Sequence, residues 1–224
     1  MCGRFTQHHQ EDELVERFDI SEVWLQPAPR YNIAPTQFIP AIIAQPDGRA
    51  LTAFRWGLVP HWAKDQKLAA KMINARAETV ADKAAYRTPL QRQRCLIPAD
   101  GWYEWQKTEH GKQPYHFRRR DGGLFAFAGL WDEWRDPENA HSEPLRTCTI
   151  ITGEANATAA PVHDRMPVIL TPAHEAFWLD PVNHNTLELV SLLTPYPADE
   201  IEALPVSRQV NSPAVDSPEL IAGI

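Results

Sequence analysis

Between Phe38 and Leu170 the chain is a succession of short apolar runs, each closed by a turn or breaker residue, and this rhythm restricts it to a β-rich fold. Strands are predicted at 38–44, at 51–58 after the Asp47-Gly48 hairpin turn, at 94–98, and at 101–107, where the side chains alternate with period two. Further strands follow at 115–119 and 124–131, joined by Asp121-Gly122-Gly123, then at 146–152 and 168–170. Helical periodicity brackets the series. Thr6 reads as the N-cap of a helix carrying Leu14, Val15 and Phe18, and a second helical stretch ends near Tyr86. Thr171-Pro172 opens a third helix through Leu179, and Leu187, Val190 and Leu193 mark a fourth. Residues 30–36 read as an extended loop, because Pro35 pushes Ala34 out of the helical region. The expectation is an α+β fold, a single domain over residues 1–224, whose mainly antiparallel sheet curls into an open barrel core flanked by helices. Twenty prolines against ten glycines make its connections stiff.

Composition narrows the chemistry. A hydrophobic share of 43% supports a proper core, and a net charge of −7 argues against wrapping nucleic acid over the whole surface while leaving room for a local basic groove. Three cysteines without a CxxC pair point to a reducing compartment and away from a disulfide framework; Cys95 and Cys148 lie in strand-like runs and are expected in the core. Nine histidines show no HExxH or comparable spacing, so neither metal nor cofactor is expected. No apolar run approaches the ~20 residues of a membrane span, and the segment from Thr6 to Glu13 is polar, unlike a signal peptide. A cytoplasmic protein is expected.

The start of the chain, Met1-Cys2-Gly3-Arg4-Phe5, offers unusual chemistry. Once Met1 is removed, Cys2 presents a thiol and an α-amine two carbons apart, and both hold some nucleophilic form near neutrality. An aldehyde can condense with the amine and be captured by sulfur as a five-membered thiazolidine. Gly3 permits close approach, Arg4 places a cation beside the nucleophile, and Phe5 anchors the segment in a core. By itself the same start also fits a chain in which nothing reacts with Cys2. Elsewhere, Glu104 lies among Trp102, Tyr103 and Trp105, where desolvation raises a carboxyl's pKa, and His163 stands beside Asp164 and Arg165. Each also fits a plain structural role: a solvated strand glutamate, a loop histidine. Asn32 offers an amide, and Arg4, Arg76 and Arg165 could pair with phosphates.

Seven motifs stand in order: Met-Cys-Gly-Arg-Phe, Arg-Tyr-Asn-Ile-Ala-Pro, Trp-Gly-Leu-Val-Pro, Asn-Ala-Arg-Ala-Glu-Thr, Ala-Asp-Gly-Trp-Tyr-Glu-Trp, Val-His-Asp-Arg-Met-Pro and Pro-Val-Ser. From Cys2 to about Asn211 the chain resembles the SOS-response-associated peptidase family, which processes abasic sites. The resemblance implies covalent capture of abasic single-stranded DNA by Cys2 after autocatalytic loss of Met1, a peptidase-like and lyase-like activity with no obligatory protein partner. It assigns Asn32 to hydrogen-bond the adduct, Glu104 to move protons and His163 to help open the sugar ring. Arg4, Asn74, Arg76 and Arg165 become phosphate contacts, with Pro35 and Trp62 beside the kinked strand. Two positions depart from the pattern: His61-Trp62 replaces a paired aromatic, and Met166 follows Arg165 where a second arginine can occur. Two other readings compete: an N-terminal-nucleophile glutamine amidotransferase, which also starts Met-Cys-Gly but needs a glutamine-binding set, and a non-covalent single-strand-binding module.

Overall fold

A computed structural model describes residues 2–139 and 141–224. In chain order its strands are β1 (Phe5–Gln7), β2 (Glu22–Val23), β3 (Arg30–Ile33), β4 (Phe38–Gln45), β5 (Gly48–Trp56), β6 (Asn74–Arg76), β7 (Arg94–Ala99), β8 (Gly101–Thr108), β9 (Gly111–Arg119), β10 (Phe125–Trp134), β11 (Leu145–Glu154), β12 (Arg165–Pro167), β13 (Ile169–Leu170) and β14 (Ile201–Pro205). The helices are α1 (Glu11–Phe18), α2 (Ala84–Arg92), α3 (Pro172–Leu179) and α4 (Thr186–Ser191). Strands β5, β4, β7, β10 and β11 follow one another with antiparallel neighbours, and a short parallel pairing of β11 with β5, Thr147 to Arg55 and Cys148 to Trp56, closes the ring. The curl expected from the sequence therefore goes to closure, which leaves the ring no free edge strand. A second sheet, ordered β14-β9-β8-β1-β3, packs against it.

The apolar runs are continuous because both faces of the ring are buried. Cys95 and Ile97 on β7, Phe125 and Phe127 on β10, and Cys148 and Ile150 on β11 meet Phe5, Trp102 and Phe117 of the second sheet in one cluster. The alternate residues Leu96, Ala126, Ala128 and Ile151 pack outward with Phe18, Leu90 and Trp178 of α1, α2 and α3. Phe5 is fully buried and meets Trp56 and Phe127 edge-on, at centroid distances of 5.3 and 5.8 Å. That ring pins the start of the chain into the barrel.

Three expectations change. Thr6 is not a helix cap but the middle of β1, where Phe5 pairs with Ile33 and Trp102; α1 starts at Glu11, and Glu13 accepts the Gln10 amide at 2.8 Å. Residues 30–33 form β3 rather than a loop, since β1 supplies the partner that a short polar segment lacks on its own. Pro35 still ends that strand, and Thr36 turns the chain at φ 71°. The helix expected to end near Tyr86 runs over Ala84–Arg92 across Pro89, held by the burial of Tyr86 and Leu90 against the barrel. Before it, Asn74 to Arg76 are extended alongside β11, while Glu78 leaves the strand in a single 3-10 turn.

Candidate active site

The β1–β8 pairing continues ahead of Phe5: the Tyr103 amide donates to Arg4 O at 3.0 Å, which carries Cys2 alongside Glu104. Cys2 is fully buried, and its Sγ lies 4.0 Å from Arg4 O. Burial first, and the charge of Glu104 second, push the thiol's pKa far up, so sulfur is held as a neutral thiol. Strand β8 alternates as its sequence predicts. Trp102 faces the barrel cluster and Tyr103 packs with Val206, Val210 and Leu220 of the C-terminal segment. Glu104, on the Trp102 side, is only 3% exposed, and burial raises its carboxyl to about 7. Gly101 opens this strand because a Cβ there would meet His116 Nε2 at 2.1 Å.

The asparagine that touches Cys2 is Asn74. Its Nδ2 donates to Cys2 O at 2.8 Å, and its Oδ1 is buried without a hydrogen-bond partner among the described residues. A buried acceptor left open in this way marks a place for a ligand donor. Asn32 is engaged elsewhere. Its Oδ1 accepts from Arg4 Nη1 at 2.8 Å, and its Nδ2 donates to the carbonyls of Val210, Ser212 and Val215 at 3.2, 3.0 and 2.7 Å. Asn32, expected to hydrogen-bond an adduct, latches the C-terminal segment onto β3 through these bonds. Arg4 belongs to the same latch, donating to Val210 O at 2.9 Å and Asn211 O at 3.4 Å. Replacing Asn32 with Ala is expected to destabilise the fold by ~1–3 kcal/mol, because several buried polar groups lose partners together. Urea unfolding gives the loss, and hydrogen exchange should localise it to residues 206–216.

His163 lies on the loop before β12, with its side chain 30% exposed. Gln106 Nε2 of β8 donates to Pro161 O at 3.0 Å and ties that loop to the strand carrying Glu104. The Arg165 amide donates to His163 Nδ1 at 3.0 Å, and Asp164 Oδ1 lies 2.9 Å from the same nitrogen. Burial, the largest cause, lowers the ring's pKa and favours its neutral form. Arg165 spans Glu78, with Nη1 and Nη2 at 2.9 and 3.0 Å from its two carboxylate oxygens, and donates to Thr152 O at 2.6 Å. Both terminal nitrogens of its guanidinium thus bond to protein, while Nε is buried without a partner among the described residues, and the hydrogen bond from Arg165 lowers the carboxyl pKa of Glu78. Met166 after it is buried core.

Arg76 is exposed and shares a cleft of about 340 Å³ with Trp62, Asn74 and Lys83. Trp62 is 55% exposed, while His61 beside it turns to Asp132 at 3.0 Å. Pro35 lines another cleft, of about 480 Å³, with Gly3, Arg4, Trp105 and Lys112. The sequence reading passed over Lys83, Lys112 and Trp105 as cleft residues. Lysines carry no positional signal, and the alternation that put Trp105 on β8 says nothing of Asn211 Oδ1, which accepts its Nε1–H at 2.7 Å. Among the described residues, His8, His9 and Asp100 bring potential metal ligands within 4.8 Å of one another. Both Asp100 oxygens are already bonded, to the Thr6 hydroxyl and to the His8 amide. This cluster ties β1 to the β7–β8 corner. Met1, whose removal the resemblance implies, lies outside the described residues.

A cysteine second in the chain, buried beside a carboxyl raised to about 7 in a closed α+β barrel, is the feature around which this site is built. The chain belongs to the SOS response associated peptidase (SRAP) family, whose profile matches residues 1–213. It is 48% identical over 224 residues to the abasic site processing protein YoqW of Bacillus subtilis, covering 99% of both chains. It is 36% identical to the abasic site processing protein HMCES of Gallus gallus, covering 88% of this chain and 66% of that protein. A solved protein from Bacteroides thetaiotaomicron shares the fold, with a TM-score of 0.87, 26% identity and full coverage of both chains.

Proposed function

We propose that this protein captures abasic sites in single-stranded DNA as a covalent thiazolidine through Cys2 exposed as the N-terminal residue after loss of Met1, as a cytoplasmic, DNA-associated protein. The single observation that carries the reading is the pairing of buried Cys2 with Glu104, whose carboxyl sits at about 7. The abasic deoxyribose opens to an aldehyde. The α-amine of Cys2 adds to that carbon, and Glu104 takes the amine's proton and returns one as water leaves, giving an imine. The thiol then adds across the C=N bond: sulfur bonds the carbon, and its proton goes to the nitrogen. The sum is aldehyde plus aminothiol giving thiazolidine plus water. A thiol kept neutral fits an order in which the amine reacts first, and it disfavours the amidotransferase alternative, which needs a thiolate from the start. We assign to Asn74, rather than Asn32, the role of holding the adduct, through its open Oδ1. His163, partly exposed on the loop tied to β8, donates a proton to the sugar-ring oxygen as the ring opens. Arg76 meets phosphate directly, and Arg4 and Arg165 help shape the surface the strand crosses.

Intact mass spectrometry before and after incubation with an abasic oligonucleotide tests this reading. The expected species is a chain without Met1 that gains the oligonucleotide's mass less one water. A complex that dissociates on denaturation would favour the non-covalent module, and glutamine hydrolysis without a mass gain would favour the amidotransferase.

A further inference from the structure

Beyond the Asn74–Arg76 cleft, a second surface recess lies over the loop and 3-10 turn between β5 and β6. It is a cleft of about 520 Å³ lined by Trp62, Lys64, Lys67, Leu68 and Lys71. All three lysines are exposed, and Leu68 and Trp62 give it an apolar floor. Its one acid, Asp65, is turned to its own backbone, accepting the Lys67 amide at 2.7 Å. On a chain of net charge −7 this is a local concentration of positive charge, three lysines against one carboxylate. Trp62 lines this cleft and the one holding Asn74 and Arg76, so the two form a continuous track away from Cys2.

We propose that this lysine cleft seats the backbone of the DNA strand on one side of the reacting nucleotide, with Trp62 as the stacking platform where the strand passes from one cleft to the other. The inference rests on the reading of the protein as an abasic-site binder and adds a second binding segment to it. A row of flexible ammonium groups over an apolar floor suits a single strand, whose phosphates need charge and whose unpaired bases need a flat hydrophobic surface. A duplex has its base faces covered and would leave that floor unused.

The test is a triple variant, Lys64→Gln, Lys67→Gln and Lys71→Gln, assayed against oligonucleotides with the abasic site at the centre or with one flank trimmed. Three phosphate contacts to single-stranded DNA carry a slope of about 2 in log affinity against log salt, so the variant's slope should be shallower by about that amount. Trimming one particular flank should give the wild type the same shallow slope and erase the difference between the proteins, while trimming the other should not. A variant with an unchanged salt slope, or a difference that survives removal of either flank, overturns the proposal, as does a loss seen only with duplex DNA. A charge reversal at Lys67 alone, with an unchanged melting temperature, guards against a folding defect and should weaken binding further than neutralisation. If wild-type protein forms no adduct, the functional reading fails separately, and the salt slope on undamaged single strand still decides the cleft.

Discussion

Cys2→Ala is expected to leave no adduct that survives denaturing electrophoresis, the largest effect of any single substitution in this chain. The variant keeps the α-amine, so it can still form an imine, but nothing remains to close the ring and the imine hydrolyses. Borohydride should therefore trap a product with the alanine chain that is absent without reductant, which separates loss of sulfur from loss of binding. The fold should tolerate the change. Sγ is buried in the barrel cluster with Phe5 and Trp56, and removing one atom of that size costs about 1 kcal/mol. Cys2→Ser should give at most a weak complex, since oxygen closes the ring poorly. A stable adduct at the wild-type yield in Cys2→Ala would move the nucleophile elsewhere in the chain and end the mechanism.

Glu104→Gln should slow crosslinking by ~10²–10⁴-fold in single turnover while DNA affinity stays nearly constant, because the amide keeps the shape and loses the proton. The pH profile carries the sign. With its carboxyl at about 7, the wild type should crosslink faster as pH rises through neutrality and the base form accumulates; the variant should lack that inflection. Stability moves the other way. A carboxyl raised in the folded state contributes stability that is full below the ordinary carboxylate range and is lost as pH rises through about 7, a change on the order of 3 kcal/mol. Glu104→Gln should flatten this dependence, so its stability relative to the wild type should improve from pH 5 to pH 8. Urea midpoints at the two pH values measure it, and identical pH dependence in both proteins would show that Glu104 does not titrate in this window.

Two kinds of information were legible in the residues alone. Period-two alternation placed Trp102 and Glu104 on one face of β8 and Tyr103 on the other, because strand geometry allows nothing else. The Asp47-Gly48 turn, the buried Cys95 and Cys148, and the anchoring of Phe5 are likewise local consequences of turn chemistry and apolar patterning. The ordered motifs carried the family without any structure. Long-range pairing was not legible. Three residues, Phe5 to Gln7, form a strand only because β3 and β8 lie on either side, and the same pairing made a strand of residues 30–33. The division of labour between the two asparagines was also decided in three dimensions. Asn32 and Asn74 are alike as residues, but the C-terminal segment offers its carbonyls to Asn32, while the parallel pairing of β6 with β11 carries Asn74 to Cys2. The same holds for Arg165, a free cation in the sequence and a partner of Glu78 in the fold, because the turn that ends β6 sets that carboxylate opposite β12. Local backbone preference and side-chain alternation act over a few residues and can be read in one dimension; which hydrogen-bonding groups meet depends on chain segments brought together from far apart, and only the folded barrel settles that.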